Sequence, residues 1–103
     1  MERFGYVFAS RMLVDQRLPV RFMYREEASG NDSGWRFFSG LEDQDYVDDP
    51  KNIAIYDVET ILAIDRSIRP YLSAVPGTAF ERKEGSKLFT LVSDYDFTPE
   101  EDD

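Results

Sequence analysis

The order of strand-like and helix-like patterns along this chain most constrains its fold. Residues 20–25 read Val-Arg-Phe-Met-Tyr-Arg, an alternation with period two that is typical of a half-buried strand. Between residues 58 and 62, apolar residues recur at i, i+3 and i+4, which marks one face of a helix. Residues 78–82 alternate again, and with residues 87–92 they predict a hairpin. Strands on both sides of a helical region predict an α+β fold.

Aromatic and β-branched residues favour further strands. They lie at residues 4–10, 35–39 and 52–56. A polar loop at 26–34, rich in turn-forming residues, separates the strand at 20–25 from the next one. We therefore expect the first three strands to form an antiparallel meander.

Short helices are predicted between the strands. Residues 42–47 can form one, and Asp57 is a good N-cap for the helix that follows it. Asp65 or Ser67 can cap a further short helix. The predicted architecture is a small single domain, in which two or three short helices are inserted between the strands of an antiparallel sheet.

The length of 103 residues suffices for one domain with its own core. Eight Phe, six Tyr and one Trp provide large apolar side chains to bury. We assign residues 1–93 to this domain. Residues 94–103 hold six acidic residues and no basic one, and we expect them to form a disordered acidic tail.

The most distinctive local sequence is Asp-Ser-Gly-Trp at residues 32–35. Asp32 can accept hydrogen bonds from the backbone amides that follow it, and Gly34 permits a positive φ. We therefore predict a tight turn at Asp32, Ser33 and Gly34 that leads into a strand. Trp35 is the single Trp, and it either anchors the core or is an exposed contact for a partner protein.

The net charge of −9 restricts the partners of this chain. Such a charge repels phosphate backbones and anionic lipid head groups, so we predict neither nucleic-acid binding nor membrane binding. The acidic residues concentrate in 41–65, which holds eight acids and Lys51 as its one base. The charge either favours a basic protein partner or serves solubility alone.

The centre of that acidic segment, residues 41–49, interleaves carboxylates with a tyrosine. Such a surface can steer a basic cleft of another protein towards itself and cover it. The alternative is a solvated helix and loop face. The predicted partner-binding residues are Trp35, Glu42, Asp43, Asp45, Tyr46, Asp48 and Asp49.

Residue types that carry most enzyme chemistry are missing. The chain has no His and no Cys, which removes the usual general base, thiol catalysis, a Ser-His-Asp triad and the common zinc ligands. Residues 43–48 begin like a calcium-binding loop but lack its glycine and its closing glutamate. We predict no enzymatic activity, no catalytic residue, no metal site and no cofactor. A carboxylate pair is the remaining enzymatic alternative.

The sequence also bears on the compartment. No apolar run approaches the roughly 20 residues that a membrane-spanning helix needs. Residues 1–6 lack the basic start and apolar stretch of a signal peptide. We expect a cytoplasmic protein.

Several segments together carry a family resemblance. They are GYVFAS at residues 5–10, VRFMYRE at 20–26, NDSGWRF at 31–37, DDPKNI at 48–53 and PGTAFER at 76–82. In this combination the chain resembles the immunity-protein 33 family of bacterial polymorphic toxin systems. The similarity spans roughly residues 4–83.

The resemblance implies that the chain binds a cognate toxin and blocks it by stoichiometric protein–protein contact, without catalysis. Together with the acidic residues at 41–49, the resemblance implies a basic toxin domain as partner. The alternative from another class is a cytosolic regulatory or scaffold module that binds a different protein or a small ligand. Homo-oligomerisation is left open by the sequence.

Overall fold

The computed structural model describes residues 5–86 and 88–92. The strands are β1 (Tyr6–Ser10), β2 (Phe22–Arg25), β3 (Asp32–Phe38), β4 (Ile53–Asp57), β5 (Thr78–Glu81) and β6 (Thr90–Leu91). The α-helices are α1 (Arg11–Asp15), α2 (Gln44–Asp48) and α3 (Val58–Ile64), and 3₁₀ helices span Pro50–Asn52 and Arg66–Tyr71. The predicted tail at 94–103, residue Phe4 and residue Lys87 lie outside the described residues.

The strands form one mixed sheet, whose order within the described residues is β4-β1-β3-β2-β5-β6. This confirms the predicted α+β class. The predicted antiparallel meander is wrong, because β1 pairs with β3 in parallel, while β2 lies between β3 and β5 and is antiparallel to both. The chain leaves the sheet at the end of β1, because Ser10 ends the strand and caps α1 by accepting from the Leu13 amide. When the chain returns as β2, it does not pair with β1.

The core lies on one face of the sheet, beneath α1, α3 and the 3₁₀ helix Arg66–Tyr71. Its fully buried members from the sheet are Val7, Ala9, Met23, Trp35 and Phe37, and those from the helices include Leu13, Ile61 and Ile68. All of them belong to one contiguous apolar cluster. Burial of this area is the main stabilising term for a chain of this size.

Strand β2 alternates, but it begins at Phe22 and not at Val20, and the side that is fully buried carries Met23. Val20, which precedes the strand, is also buried in the core. Phe22 and Tyr24 point to the opposite face, where they are half-buried. The guanidinium of Arg25 lies on the core side and donates to the carbonyl oxygens of Ser33 (2.9 Å) and Ala74 (2.7 Å). The long side chain of Arg25 can occupy the core side of the strand because its polar end finds carbonyl partners there.

The start of β3 is a bulge. The pairing with β1 passes from Tyr6 opposite Asp32 to Phe8 opposite Arg36, so β3 carries two extra residues there. Gly34 has a φ of +92°, and a Cβ at this position would lie 2.2 Å from the carbonyl oxygen of Glu26. The segment Asp32–Gly34, predicted as a turn, thus begins the strand, and the chain reverses just before it at residues 30–31.

Polar side chains cap the N-termini of the helices. Asp57 caps α3 as predicted, accepting from the Glu59 amide at 3.0 Å. Asp65, one of the two predicted alternatives, caps the 3₁₀ helix Arg66–Tyr71 by accepting from the Ser67 amide at 3.1 Å. Asp43 caps α2, which begins two residues later than predicted. The caps fix where each helix starts because they satisfy amides that have no partner within the helix.

Candidate partner-binding surface

Trp35 is a core residue. Its side chain is 0% exposed, its Nε1 donates to the carbonyl oxygen of Leu72 at 3.0 Å, and its ring stacks on Phe37 with centroids 5.9 Å apart. A side chain that is buried beneath helices cannot contact a partner in this conformation. Trp35 is therefore removed from the predicted contact residues, and the alternative interpretation as a core anchor is the one that the structure supports.

Glu42 is held inside the protein by hydrogen bonds. Its Oε2 accepts from the Ser39 amide (2.9 Å) and from the Ser10 and Ser39 hydroxyls, and its Oε1 accepts from the Gly40 amide (3.0 Å). Burial alone would raise the pKa of Glu42, but these hydrogen bonds hold it below its ordinary value. The carboxylate thus joins the ends of β1 and β3 and is not available to a partner.

Tyr46 fixes α2 against α1. Its hydroxyl oxygen accepts from the Met12 amide at 2.9 Å, and its carbonyl oxygen accepts from the Asn52 side chain at 3.0 Å. The ring is half-buried. Tyr46 therefore positions the acidic segment, with part of its side chain left at the surface.

The remaining predicted acids lie at the surface. We call Asp43, Asp45, Asp48 and Asp49 the acidic surface. All four are exposed, and within residues 5–86 and 88–92 none of them forms a salt bridge. Asp43 and Asp49 also act as helix caps, while Asp48 accepts from the Gln44 side chain at 2.8 Å. Unpaired carboxylates on one short segment create a negative potential that attracts cations.

A cleft adjoins the acidic surface. We call it the aromatic cleft, and its lining residues are Phe22, Tyr24, Phe38, Gly40, Glu42 and Val47. Its volume is about 260 Å³. The rings of Tyr24 and Phe38 stack at 6.1 Å, and Phe22 lies 5.7 Å from Tyr24. The sequence carried a signal for this cleft in the alternating aromatics of β2, but the alternation does not say which side faces the core.

The family to which the chain belongs follows from a comparison with family models. The model of the immunity protein Imm33 domain matches residues 7–92, which is most of the chain. This chain belongs to the Imm33 family. The predicted resemblance is thereby confirmed, and the matched region includes both the acidic surface and the aromatic cleft. No curated protein and no solved structure matches the chain.

Other acids of this Imm33 protein are paired internally. Asp65 accepts from the Val20 amide at 2.9 Å and from the Ser67 hydroxyl, and it forms a salt bridge with Arg82. Burial alone would raise the pKa of Asp65, but the hydrogen bonds from Ser67 and Val20 and the charge of Arg82 hold it below its ordinary value. Asp65 thus ties the helical layer to β5 and the start of β2.

Arg36 is the centre of a second internal cluster. It pairs with Asp32 at 3.0 Å and with Glu26 at 2.9 Å, and its guanidinium lies 4.5 Å from the ring centroid of Phe8. The hydrogen bond from Arg36 holds the pKa of Asp32 below its ordinary value, against the effect of burial. The cluster fixes the bulge at the start of β3 to the end of the preceding strand, where Glu26 follows β2.

The described part of the chain contains no group of three or more side chains that could hold a metal ion. In the same part of the chain, no helix combines the length and the apolar character that a membrane crossing needs.

Proposed function

We propose that this Imm33 protein neutralises a toxin by stoichiometric binding, and that the acidic surface is the contact. Membership of an immunity-protein family supports the role. The observation that carries the choice of surface is that Asp43, Asp45, Asp48 and Asp49 are exposed on one segment without a salt bridge among the described residues. The partner that fits this surface is a basic toxin domain.

The mechanism is electrostatic attraction followed by steric cover. A surface of one sign raises the rate of encounter with an oppositely charged partner and favours one orientation. If the toxin is a nuclease, the carboxylates of Asp45 and Asp48 take the place of substrate phosphates in its basic cleft. Bound there, the protein keeps the substrate out, and the interaction takes place in the cytoplasm.

The proposed role does not involve catalysis by this chain. A general acid needs a pKa near the working pH. Glu42 and Asp65, the carboxylates with the most internal hydrogen bonds, have pKa values below their ordinary range. Both stay ionised at neutral pH and serve as acceptors that hold elements of the fold together.

Co-expression tests this proposal. Candidate toxin domains from proteins encoded beside this gene are each expressed alone and together with this chain, and growth and co-purification are followed. We expect the cognate domain to be toxic alone, and to be tolerated and co-purified when this chain is present. Unchanged toxicity in the presence of this chain would contradict the proposal and favour a regulatory or scaffold role.

A further inference from the structure

The aromatic cleft and the acidic surface share one segment of the chain. Gly40, Glu42 and Val47 line the cleft, and they lie in the same stretch of sequence as Asp43, Asp45 and Asp48. The floor is the sheet face opposite the core, where Phe38 pairs with Phe22 in the register of β2 and β3. A partner that reaches the acidic surface therefore also meets the mouth of the cleft.

Apolar side chains lie at the mouth of the cleft among the charges. Val47 is 37% exposed, and Leu41, next to Gly40, is 62% exposed. A volume of about 260 Å³ can hold an amino-acid side chain, but it is below the roughly 300–1,000 Å³ that is typical of small-molecule sites. The cleft is therefore better suited to a side chain of another protein than to a free metabolite.

The charges around the cleft restrict that partner further. The acidic surface lies on the α2 side of the cleft. Glu42 also lines the cleft, but its carboxylate is engaged by hydrogen bonds from Ser10, Ser39 and Gly40. The cation nearest to Gly40 is Arg21, whose Nη1 lies 3.5 Å from the position that a Cβ on Gly40 would take. The four exposed carboxylates of the acidic surface thus outnumber Arg21 and the neighbouring Lys51, and an approaching surface with lysine or arginine residues is favoured over an acidic one.

We propose that the aromatic cleft receives one apolar side chain of the toxin domain, and that lysine or arginine residues beside it pair with the acidic surface. This inference rests on the proposed function and names the anchor of that interface. An apolar side chain seated in a pocket and surrounded by polar contacts is the usual arrangement of an interface hot spot. The two parts act on different rates: the carboxylates accelerate association, and the cleft slows dissociation.

The test compares two valines. Rate constants for binding to the purified toxin domain of the co-expression experiment are measured for the wild type, Val47→Ser and Val75→Ser. Val75 is 68% exposed and does not line the cleft, so it is the matched control. We expect Val47→Ser to raise the dissociation rate constant about tenfold while the association rate constant changes less than about twofold. Val75→Ser should change neither.

A second variant, measured together with thermal unfolding, distinguishes a loss of binding from a loss of folding. Val47→Arg replaces the short apolar side chain with a long cationic one at the cleft, and we expect it to raise the dissociation rate constant at least as much as Val47→Ser does. Thermal unfolding of both variants shows whether the fold is intact. If both fold as the wild type does and dissociate at the wild-type rate, the cleft is not the anchor.

The outcomes separate this inference from the proposed function. A wild-type protein that protects cells, with Val47 variants that bind equally well, overturns the cleft assignment and leaves the immunity role standing. If the wild type neither protects nor binds, the proposed function fails and the cleft assignment fails with it. If Val47→Ser only dissociates a dimer of the free protein, the occupant is a second copy of this chain, which also overturns the inference.

Discussion

Asp65 and the carboxylates of α2 belong to the same acidic stretch of sequence, but they lie in opposite environments. The side chain of Asp65 is 10% exposed and pairs with Arg82, whose side chain is 7% exposed. Asp45 and Asp48 are exposed and form no salt bridge in the described part of the chain. A high local density of acids in the sequence therefore does not indicate which carboxylates stabilise the fold and which remain available to a partner.

The difference has an energetic consequence. Removing one partner of a buried pair leaves an uncompensated charge and costs about 3–5 kcal/mol of unfolding free energy. Removing an exposed carboxylate without a specific partner changes that free energy by about 0.5 kcal/mol or less. The two regions can therefore be distinguished by substitutions of the same type.

The largest expected effect is at Asp65. Asp65→Ala should lower the free energy of unfolding by about 3–5 kcal/mol, because Arg82 loses its carboxylate and the Val20 amide loses its acceptor. Urea unfolding measures the change. Asp48→Ala is the matched control: it loses one exposed hydrogen bond, from Gln44, and we expect a change of about 0.5 kcal/mol or less. Equal losses for the two variants would remove the distinction between the regions.

Glu42 is a second test of the difference between internal and exposed carboxylates. It lies within the acidic segment but accepts hydrogen bonds from backbone amides, as Asp65 does. Glu42→Ala should lower the free energy of unfolding by about 2 kcal/mol, because hydrogen bonds to a charged group are lost. Asp43→Ala, which removes only the cap of α2, should cost about 1 kcal/mol. Chemical denaturation in parallel gives the order, and a smaller loss for Glu42 than for Asp43 would contradict its assignment as an internal residue.

The pH dependence of stability provides a third comparison. The pKa values of Asp65 and Glu42 are lowered in the folded protein, so their contribution is fully present above the unfolded values of about 4. It is lost as the pH falls from about 4 through the lowered folded values, because protons then bind the unfolded chain more strongly. Unfolding free energies measured between about pH 7 and pH 3 should therefore fall more steeply for the wild type than for Asp65→Asn. Parallel curves would contradict the lowered pKa.

The smallest expected effect on stability is at Asp45. Asp45→Asn should change the free energy of unfolding by about 0.5 kcal/mol or less, but it should slow association with the toxin domain. Asp15→Asn, an exposed acid on α1, is the control for the loss of one negative charge at another place. An equal slowing by both variants would show that net charge, not the acidic surface, governs the encounter.

The features that the sequence predicts correctly are local ones. The strand at 22–25, the cap at Asp57 and the hairpin of β5 with β6 each depend on residues that are close in sequence. The Asp-Ser-Gly sequence at residues 32–34 likewise predicts the hydrogen bond from the Gly34 amide to the Asp32 side chain and the positive φ of Gly34. Each of these features depends on residues that are near one another in the chain, so a single sequence is enough to predict it.

The features that escape prediction depend on distant partners. Parallel pairing of β1 with β3 requires the chain to leave the sheet at α1 and insert β3 beside β1, which no local pattern encodes. On the buried side of β2, Met23 packs in the core and Arg25 donates to the carbonyl oxygen of Ala74, which lies far along the chain. Internal placement of Glu42 depends on Ser10, which lies on another strand. An acid-rich segment therefore predicts a charged surface without telling which of its acids the fold uses.

The most direct test of the acidic surface is the salt dependence of association with the toxin domain. The association rate constant is measured from about 20 to about 500 mM salt for the wild type and for Asp45→Asn/Asp48→Asn. We expect the wild-type constant to fall about tenfold or more over this range, and the double variant to associate more slowly with a weaker salt dependence. A wild-type association rate constant that does not change with salt would contradict an interface built on these carboxylates.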